Sequence, residues 1–257
     1  MDSPGVNPEP PPPPRRPLHW PVQFLRRRLS PGEDLGLHLT IGILVMILGC
    51  WGFSEIANEI GPNRDLAMLD QRATQWFQQR ASSSLTDVAF AISYLGSVVA
   101  LTTFSIVCAL LLISVRAWER LLGLALTMLG GSVLNILLKH FFQRERPVFE
   151  DPLVTLASFS FPSGHAMGAT LLFGFLALLL AHLTSRWHWQ LLITIAAVLL
   201  IAAISATRIY LGAHYLTDVL AAIAIGSAWL AFSWTTAETF RRHRKSAART
   251  ADAGASG

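Results

Sequence analysis

The sequence predicts an all-α polytopic membrane protein, a bundle of six transmembrane helices with both termini cytoplasmic. Of its 257 residues, 52% are hydrophobic and only 14% are charged, whereas a soluble domain carries about 25% charged residues. Six apolar stretches reach the roughly 18 residues that a helix needs to cross a bilayer. The uneven distribution of Lys and Arg between the connecting segments indicates the orientation.

The six predicted spans cover nearly half of the chain. Lipid offers no water to unpaired backbone groups, so spans of this kind must be helical. They comprise residues 35–53, a stretch within 88–115, 121–138, 166–183, 187–207 and 219–237. We therefore predict a disordered Pro/Arg-rich cytoplasmic tail at 1–34, a six-helix membrane domain at 35–237 and a basic cytoplasmic tail at 238–257.

The net charge of +4 raises the question of a nucleic-acid partner. Half of the 20 Lys and Arg residues lie in the two tails, where they flank apolar sequence. Basic clusters in such positions are typical of membrane-surface anchors, so we expect membrane lipids and no nucleic acid as partners. With both tails cytoplasmic, 13 of the 20 cations lie on that side and 7 on the other, in agreement with the positive-inside rule.

This topology places the longest connections on the extracytoplasmic face. The first of them, residues 54–87, predicts an amphipathic helix on the membrane interface. It is either an ordinary cap on the bundle or a substrate gate. Its apolar positions are Leu66, Leu69, Ala73, Trp76 and Phe77, and the opposing polar positions are Arg64, Asp70, Arg72 and Gln75.

Three cations at predicted helix ends indicate an anion site on the same face. Lys139, Arg146 and Arg208 would repel one another with at most one carboxylate nearby, unless an anion lies between them. A phosphate suits the geometry of guanidinium groups. Arg144 we interpret differently, as a residue that marks the membrane boundary.

A helix N-terminus should add to this anion site. Pro162 stops the preceding segment, Ser163 is a favourable N-cap, and Gly164 lets backbone N–H groups approach a ligand closely. The positive end of a helix binds anions, although Ser163 and Gly164 could also form a simple cap.

Two histidines and one carboxylate complete the set of candidate residues. His214 and Asp218 are four residues apart, so at a helix start the carboxylate can hold one ring nitrogen and leave the other free. That arrangement is typical of an activated nucleophile or base. His165 could then donate a proton to a leaving oxygen. We expect no metal, because the surrounding cations would repel one.

The candidate residues form a three-part pattern that closely resembles the signature of the type 2 phosphatidic acid phosphatase family, the integral-membrane lipid phosphatases. The resemblance covers roughly residues 35–237. The family usually has Ser before the third-part Arg, where this chain has Thr207, which retains the hydroxyl. The parts are Lys139 with six residues to Arg146-Pro147; Pro162-Ser163-Gly164-His165; and Arg208 with five residues to His214 and three more to Asp218.

The resemblance implies a phosphohistidine mechanism. His214 would attack phosphorus, Asp218 would orient it, and His165 would protonate the departing alkoxide. The phosphate-binding set would consist of Lys139, Arg146, Arg208 and the backbone around Ser163 and Gly164. Family members of this type need no metal, so no cofactor is expected.

The expected substrate is a lipid phosphate or diphosphate, hydrolysed at the extracytoplasmic face of a bacterial inner or cell membrane. Phosphatidic acid, phosphatidylglycerol phosphate, polyprenyl (undecaprenyl) diphosphate and lipid A phosphates all remain open. A phosphotransferase, or a catalytically inactive lipid-binding or transport protein, is the alternative. The sequence leaves the oligomeric state undetermined.

Overall fold

The computed structural model describes residues 36–60, 65–148, 153–154 and 156–255, and every regular element among them is helical. The proline-rich tail predicted at 1–34 lies outside the described residues. The helices are α1 (Gly36–Asn58), α2 (Asp65–Gln78), α3 (Ser83–Tyr94), α4 (Val98–Ser114), α5 (Trp118–Ala125), α6 (Gly131–Phe142), α7 (Gly164–Leu183), α8 (Trp187–Tyr210) and α9 (Leu216–Ala255). A π-helical turn, Leu126–Gly130, joins α5 to α6.

Five helical segments of the described chain are long and apolar enough to cross a membrane. They are Leu39–Asn58, Trp118–Phe142, Gly164–Leu183, Trp187–Tyr210 and Leu216–Arg242. The pair α3 and α4 meets the same criterion only when taken together. The membrane-spanning character is therefore confirmed, with five spans or six if this bent pair counts as one.

The second predicted span is broken into α3 and α4, which are bent by 40°. Ser97 caps the new helix by accepting a hydrogen bond from Ala100 N. Gly96 lies at the break, and a Cβ there would lie only 2.5 Å from Ile204 of α8. The break thus allows the chain to pass close to α8, which continuous apolar sequence did not predict.

Helix α7 forms the centre of the bundle and packs against α8 and α9. Half of its 18-residue apolar window is buried, a far larger share than in the windows of α1 or α8. Small residues such as Ala166 and Ala169 are fully buried, which lets neighbouring helices approach closely. The N-terminus of α7 is consequently held rigidly at one end of the bundle.

The π-helical turn has a specific partner on α9. Trp229 donates its indole N–H to the carbonyl of Leu126, 3.1 Å away. Gly130 leaves room for the indole, because a Cβ there would lie 2.5 Å from the Trp229 ring. A π-turn frees carbonyls from the regular helical ladder, and here an indole satisfies one of them.

Helix α9 continues past residue 237 into the segment predicted as a basic tail. Glu238 accepts hydrogen bonds from Arg241 (2.8 Å) and Arg242 (2.7 Å). These i,i+3 and i,i+4 pairs offset the basic charge along the helix. The final basic segment therefore begins as an extension of a bundle helix.

The amphipathic helix predicted in the first outer connection is present as α2. Its apolar side chains Met68, Leu69 and Trp76 are exposed, whereas Asp70 from the polar side is 2% exposed. Among the polar positions of α2, Asp70 is thus a buried one. Its carboxylate is buried because it pairs with groups at the bundle end.

Candidate active site

The predicted site residues lie at one end of the bundle, because each comes from a helix end or an adjoining loop. The end of α6, the start of α7, the end of α8 and the start of α9 share this end. A cavity of about 670 Å³ opens there, and its lining includes Lys139, Arg146, Gly164, His165 and His214. The rest of its wall is mainly apolar and runs along α4, α5 and α6.

His214 is placed by the way in which α8 ends. Gly212 adopts a left-handed conformation (φ 69°), and Ala213 N donates to Arg208 O at 3.0 Å. This is a Schellman-type ending, in which glycine avoids the strain of positive φ. The chain therefore reverses within a few residues, and His214 lies in the turn directly before α9.

The His214 ring is held between acceptors on one side and a donor on the other. Its Nδ1 lies 3.4 Å from both Asp218 Oδ2 and Ser160 Oγ. Ser160 gives its own proton to Asp218 Oδ2, so its oxygen is free to accept. Both neighbours thus favour a proton on Nδ1.

The opposite ring nitrogen, Nε2, lies 3.3 Å from Arg146 Nη1. A guanidinium can only donate, so Nε2 must present a lone pair. Burial lowers the pKa of His214 from 6.5 to about 4, against the opposing effect of Asp218. At neutral pH the ring is therefore uncharged and has an available lone pair, as a nucleophile requires.

Arg146 bridges the loop before α7 and the turn before α9. Its Nε donates to Ser158 O at 2.7 Å, and its Nη1 donates to Ala213 O at 2.5 Å. Burial lowers the pKa of Arg146, partly opposed by Asp218, but an arginine stays charged at neutral pH. A fixed cation thus stands beside the free nitrogen of His214.

Lys139 lies near the end of α6 and lines the cavity. Its Nζ donates to the carbonyls of Phe159 (2.6 Å) and Ser160 (3.4 Å). These contacts tie α6 to the segment that leads into α7. Neutral carbonyls leave the positive charge of Lys139 uncompensated, so it remains available to an anion.

Ser163 caps α7, as predicted, with its Oγ accepting from Ala166 N at 3.5 Å. Its own N–H donates to Asp218 O at 3.1 Å, so that donor is already used. Gly164 and His165 occupy the first turn, where N–H groups have no partner within the helix. Of the predicted backbone donors, those of Gly164 and His165 are therefore the better placed for an anion.

His165 lines the cationic end of the cavity, whereas Arg208 lies close to His165 but is not among the lining residues. His165 lies within electrostatic range of Arg208, His214, Arg146 and Lys139. Arg208 is 4% exposed and donates from Nη1 to Ser93 Oγ at 2.7 Å. Among the described residues its buried Nε meets no hydrogen-bond partner. A buried cation without a paired carboxylate is costly, and an anionic ligand would offset that cost.

Arg144 is not the membrane-boundary residue that the sequence analysis assigned. Its Nη1 donates to Asp218 Oδ1 at 2.6 Å, and its Nη2 donates to Asp70 Oδ2 at 2.8 Å. Burial alone would lower the pKa of Arg144, but the two carboxylates outweigh burial and raise it. The interpretation failed because Asp70, 74 residues away in sequence, provides the second partner.

Ser160, Asp70 and Thr217 are further site residues that the sequence analysis missed. Thr217 donates its N–H to Asp70 Oδ1 at 2.8 Å and its hydroxyl to Asp70 Oδ2 at 2.6 Å. Neither contact follows from a spacing rule, because α2 and α9 are 147 residues apart at this point. Within the described residues no cluster of three His, Cys, Asp or Glu side chains suits a metal ion.

The fold and this site define an integral-membrane phosphatase. The PAP2 superfamily profile matches residues 120–242. The chain is 35% identical over 146 residues to phosphatidylglycerophosphatase B of Bacillus subtilis, an alignment covering 55% of this chain and 70% of that protein. The chain belongs to the PAP2, or type 2 phosphatidic acid phosphatase, family and is a lipid phosphate phosphatase.

The chain is also similar to a second phosphatase and to two solved structures. The chain is 35% identical over 131 residues to undecaprenyl-diphosphatase of Sulfolobus acidocaldarius, covering 49% of this chain and 59% of that protein. A crystal structure of a transmembrane PAP2-type phosphatidylglycerolphosphate phosphatase from Bacillus subtilis superposes with a TM-score of 0.70 and 28% identity, covering 76% of this chain and 96% of that one. The crystal structure of Aquifex aeolicus LpxE gives a TM-score of 0.52 at 28% identity, covering 65% and 94%.

Proposed function

We propose that this phosphatase removes a terminal phosphate from a glycerophospholipid through a phosphohistidine on His214, at the extracytoplasmic face of the membrane. This proposal rests mainly on the position of His214. Its Nε2 lone pair faces Arg146 at the mouth of a cavity that is cationic at this end and apolar along the helices. A lipid phosphate has the matching distribution of charge and apolar surface.

The two histidines and the phosphate-binding groups have defined roles in the proposed reaction. The lone pair of His214 Nε2 attacks phosphorus while the bond from phosphorus to the lipid oxygen breaks. His165 gives a proton to that leaving oxygen. Phosphoryl transfer depends mainly on positioning and on stabilising charge on the equatorial oxygens. That stabilisation comes from Lys139, Arg146, Arg208 and the N–H groups of Gly164 and His165.

The second half of the reaction restores the enzyme. Water attacks the phosphorus of phosphohistidine and gives a proton to His165. The P–N bond breaks, its electron pair returns to Nε2 of His214, and inorganic phosphate leaves. Asp218 stabilises the positive charge that the imidazole carries while it is phosphorylated, as carboxylates do for catalytic histidines.

Polar groups in the inner cavity wall favour a glycerol-linked lipid. Asn135 and Ser132 line the cavity one and two turns below Lys139, about 6 and 10 Å along the helix. Ser105, on the facing helix α4, also lines it, and its buried Oγ has no partner among the described residues. Asn135 already donates to Pro162 O at 3.5 Å and to Met167 Sδ at 3.4 Å, so Ser105 is the buried group that lacks a partner among the described residues. Ester or phosphodiester oxygens of a glycerophospholipid would meet the Ser105 hydroxyl, whereas a polyprenyl chain would leave it unpaired.

The relatives point to two substrate classes. Phosphatidylglycerophosphatase B supports the glycerophospholipid, and undecaprenyl-diphosphatase supports a polyprenyl diphosphate. The test is phosphate release by the purified full-length chain from phosphatidic acid, phosphatidylglycerol phosphate and a polyprenyl diphosphate, with a chelator present. We expect higher kcat/KM for the two glycerol lipids and inhibition by vanadate. A preference for the polyprenyl substrate would overturn the substrate class but leave the reaction intact.

The His214→Ala variant tests the nucleophile. We expect turnover to fall at least about 10³-fold, because removing a catalytic nucleophile leaves only binding and charge stabilisation. The labelled phosphoprotein formed by the unaltered chain should be absent from this variant. Retained turnover would refute the role of His214. Lipid binding by the unaltered chain without any phosphate release across the panel would instead revive the inactive lipid-binding alternative.

A further inference from the structure

We propose that Asp70 on α2 is a positioning residue for catalysis, acting through Arg144 and Thr217 on the pair formed by Asp218 and His214. The inference rests on the proposed function, because it assumes that His214 performs the chemistry. It goes beyond that function because it assigns a positioning role to α2, the helix in the connection between α1 and α3.

The first observation is that Asp70 supplies the cap that α9 lacks. The residue before the helix is Tyr215, whose side chain cannot accept a hydrogen bond from the first turn in the way that Ser or Asp would. Asp70 Oδ1 instead accepts from Thr217 N at 2.8 Å. Asp218 supplies the reciprocal half of a capping box by accepting from Tyr215 N at 2.9 Å. The first turn of α9 is therefore fixed by one carboxylate from α2 and one of its own.

The second observation is that Arg144 is shared between two buried carboxylates. Asp218 is 0% exposed and Asp70 is 2% exposed, and Arg144 contacts both at 2.6 and 2.8 Å. Thr217 Oγ1 lies between them, accepting from Arg144 at 2.7 Å and donating to Asp70 at 2.6 Å. The guanidinium is thus held by two carboxylates and one hydroxyl.

The third observation concerns the charge beside His214. Arg144 and Asp218 alone would form a neutral pair, and Asp218 would then stabilise a positive imidazole only weakly. Asp70 adds a second negative charge, so the three groups together carry one net negative charge. In a buried site such a charge acts strongly on its neighbours. It stabilises the positive imidazole that forms when phosphorus bonds to Nε2.

Both carboxylate oxygens of Asp218 are held by hydrogen bonds within this network. Its Oδ1 accepts from Arg144, and its Oδ2 accepts from Ser160 and from Tyr215 N. Without the Asp70 carboxylate, Arg144 and Thr217 would lose a hydrogen-bond partner. Arg144 would then hold Asp218 Oδ1 less firmly. Displacements of about 1 Å at a reacting group cost about 10²-fold in rate.

The test compares Asp70→Asn with Asp87→Asn in the full-length chain. Asp87 is an exposed carboxylate on α3, so its substitution makes the same chemical change outside the network. We expect Asp70→Asn to lower kcat about 10- to 100-fold with KM nearly unchanged, and to slow formation of the phosphoprotein in a single turnover. Asp87→Asn should match the unaltered chain. Unchanged kcat in Asp70→Asn would overturn the inference.

A double-mutant cycle tests whether Asp70 acts through Arg144. In an Arg144→Gln background, adding Asp70→Asn should lower kcat far less than it does alone, because the shared partner is already lost. Equal fold-changes in both backgrounds would overturn the inference. If Asp70→Asn does not yield folded protein, Thr217→Val retains both charges while removing the bridging hydroxyl. It should then lower kcat several-fold at constant KM, and unchanged kcat would again overturn the inference.

The outcome is distinguishable from failure of the proposed function. Retained turnover in His214→Ala contradicts the phosphohistidine mechanism, whatever Asp70→Asn does. An inactive His214→Ala together with a fully active Asp70→Asn contradicts only the positioning role. Partial recovery of kcat in Asp70→Glu relative to Asp70→Asn would support the role of the charge, because the glutamate restores the carboxylate without restoring the original geometry.

Discussion

At the scale of single residues, the decisive property of His214 is that it stays neutral although it is surrounded by charge. Burial and the nearby cation Arg146 both disfavour its protonation, and Asp218 opposes them only in part. The hydrogen bonds described above leave Nε2 as the unprotonated nitrogen. Neutrality and tautomer together suit the ring to the proposed attack on phosphorus.

The low pKa of His214 predicts activity well into the acid range. With a pKa of about 4, the free enzyme keeps its nucleophile as the pH falls through 6.5 and loses it only near pH 4. The measurement is kcat/KM against pH, which reports the free enzyme. The substrate is a lipid diphosphate, whose leaving lipid phosphate needs no proton from His165. An acid limb centred at 6.5 or above would contradict the environment described for His214.

Folding stability sets the lower bound of that measurement. An unfolded chain binds a proton at His214 near pH 6.5, while the folded chain keeps the ring neutral down to about 4. The unfolded state therefore binds more protons between these values, and stability falls as the pH decreases through this window. Thermal midpoints recorded at each pH would separate loss of the nucleophile from unfolding.

The candidate residues themselves could be identified from sequence, but two of their partners could not. Lys139, Arg146, Gly164, His165 and His214 line one cavity. Their chemistry is visible in residue type and order. Asp70 and Ser160 could not be found in this way, because their roles depend on contacts across 147 and 58 residues, and an isolated Asp or Ser has many ordinary explanations.

At the scale of elements, the site depends on helix ends that are fixed by helices remote from it. Phe161, which precedes the N-terminus of α7, is fully buried. Its ring lies 5.6 Å from that of Phe53 on α1 and 4.9 Å from that of Phe142 on α6. Aromatic pairs at these separations are stabilising. Helix α1 thus supports the loop that carries Ser160 and Ser163, although it contributes no candidate catalytic side chain.

The close approach of α1 to α9 predicts a stability effect at Gly49. A Cβ at Gly49 would lie 2.6 Å from the carbonyl oxygen of Ala224 and 2.9 Å from Ala228 Cβ. Because one of these atoms belongs to the backbone, the helices would have to separate. We expect Gly49→Ala to destabilise the protein by about 1–3 kcal/mol and to lower turnover by loosening Phe161, measured by thermal unfolding in detergent and phosphate release.

Gly52→Ala is the matched control, since its Cβ would lie 3.9 Å from Ala224 Cβ, an ordinary contact. Equal melting points for Gly49→Ala and Gly52→Ala would contradict the packing described here. Sequence reasoning located α1 through its apolar length, but it could not reveal this contact. An apolar stretch indicates that a helix faces lipid or the protein core. It does not indicate which of its glycines lies against the backbone of a neighbouring helix.

At the scale of the whole molecule, we expect most of the basic residues and the candidate active site to lie on opposite sides of the membrane. The connections that follow α4 and α7 lie at the bundle end opposite to the candidate site residues, and the cations near these turns include Arg116, Arg120 and Arg186. The bundle end that contains the candidate site also carries basic side chains. Of these, Arg144 is neutralised by carboxylates, and in the proposed function Lys139 and Arg208 bind an anion. The proposed orientation therefore rests on the tails and short turns, since the 13-to-7 distribution of Lys and Arg favours a cytoplasmic position for them.

This orientation predicts which side of the membrane a thiol reagent reaches. In a chain with Cys50 and Cys108 replaced by Ala, Asp87→Cys introduces an exposed thiol at the cavity end, and Ser185→Cys introduces one in the turn between α7 and α8. A membrane-impermeant maleimide should label Asp87→Cys in intact cells and Ser185→Cys only after permeabilisation. The reverse pattern would place the cavity in the cytoplasm. It would also require a lipid phosphate presented from the inner leaflet.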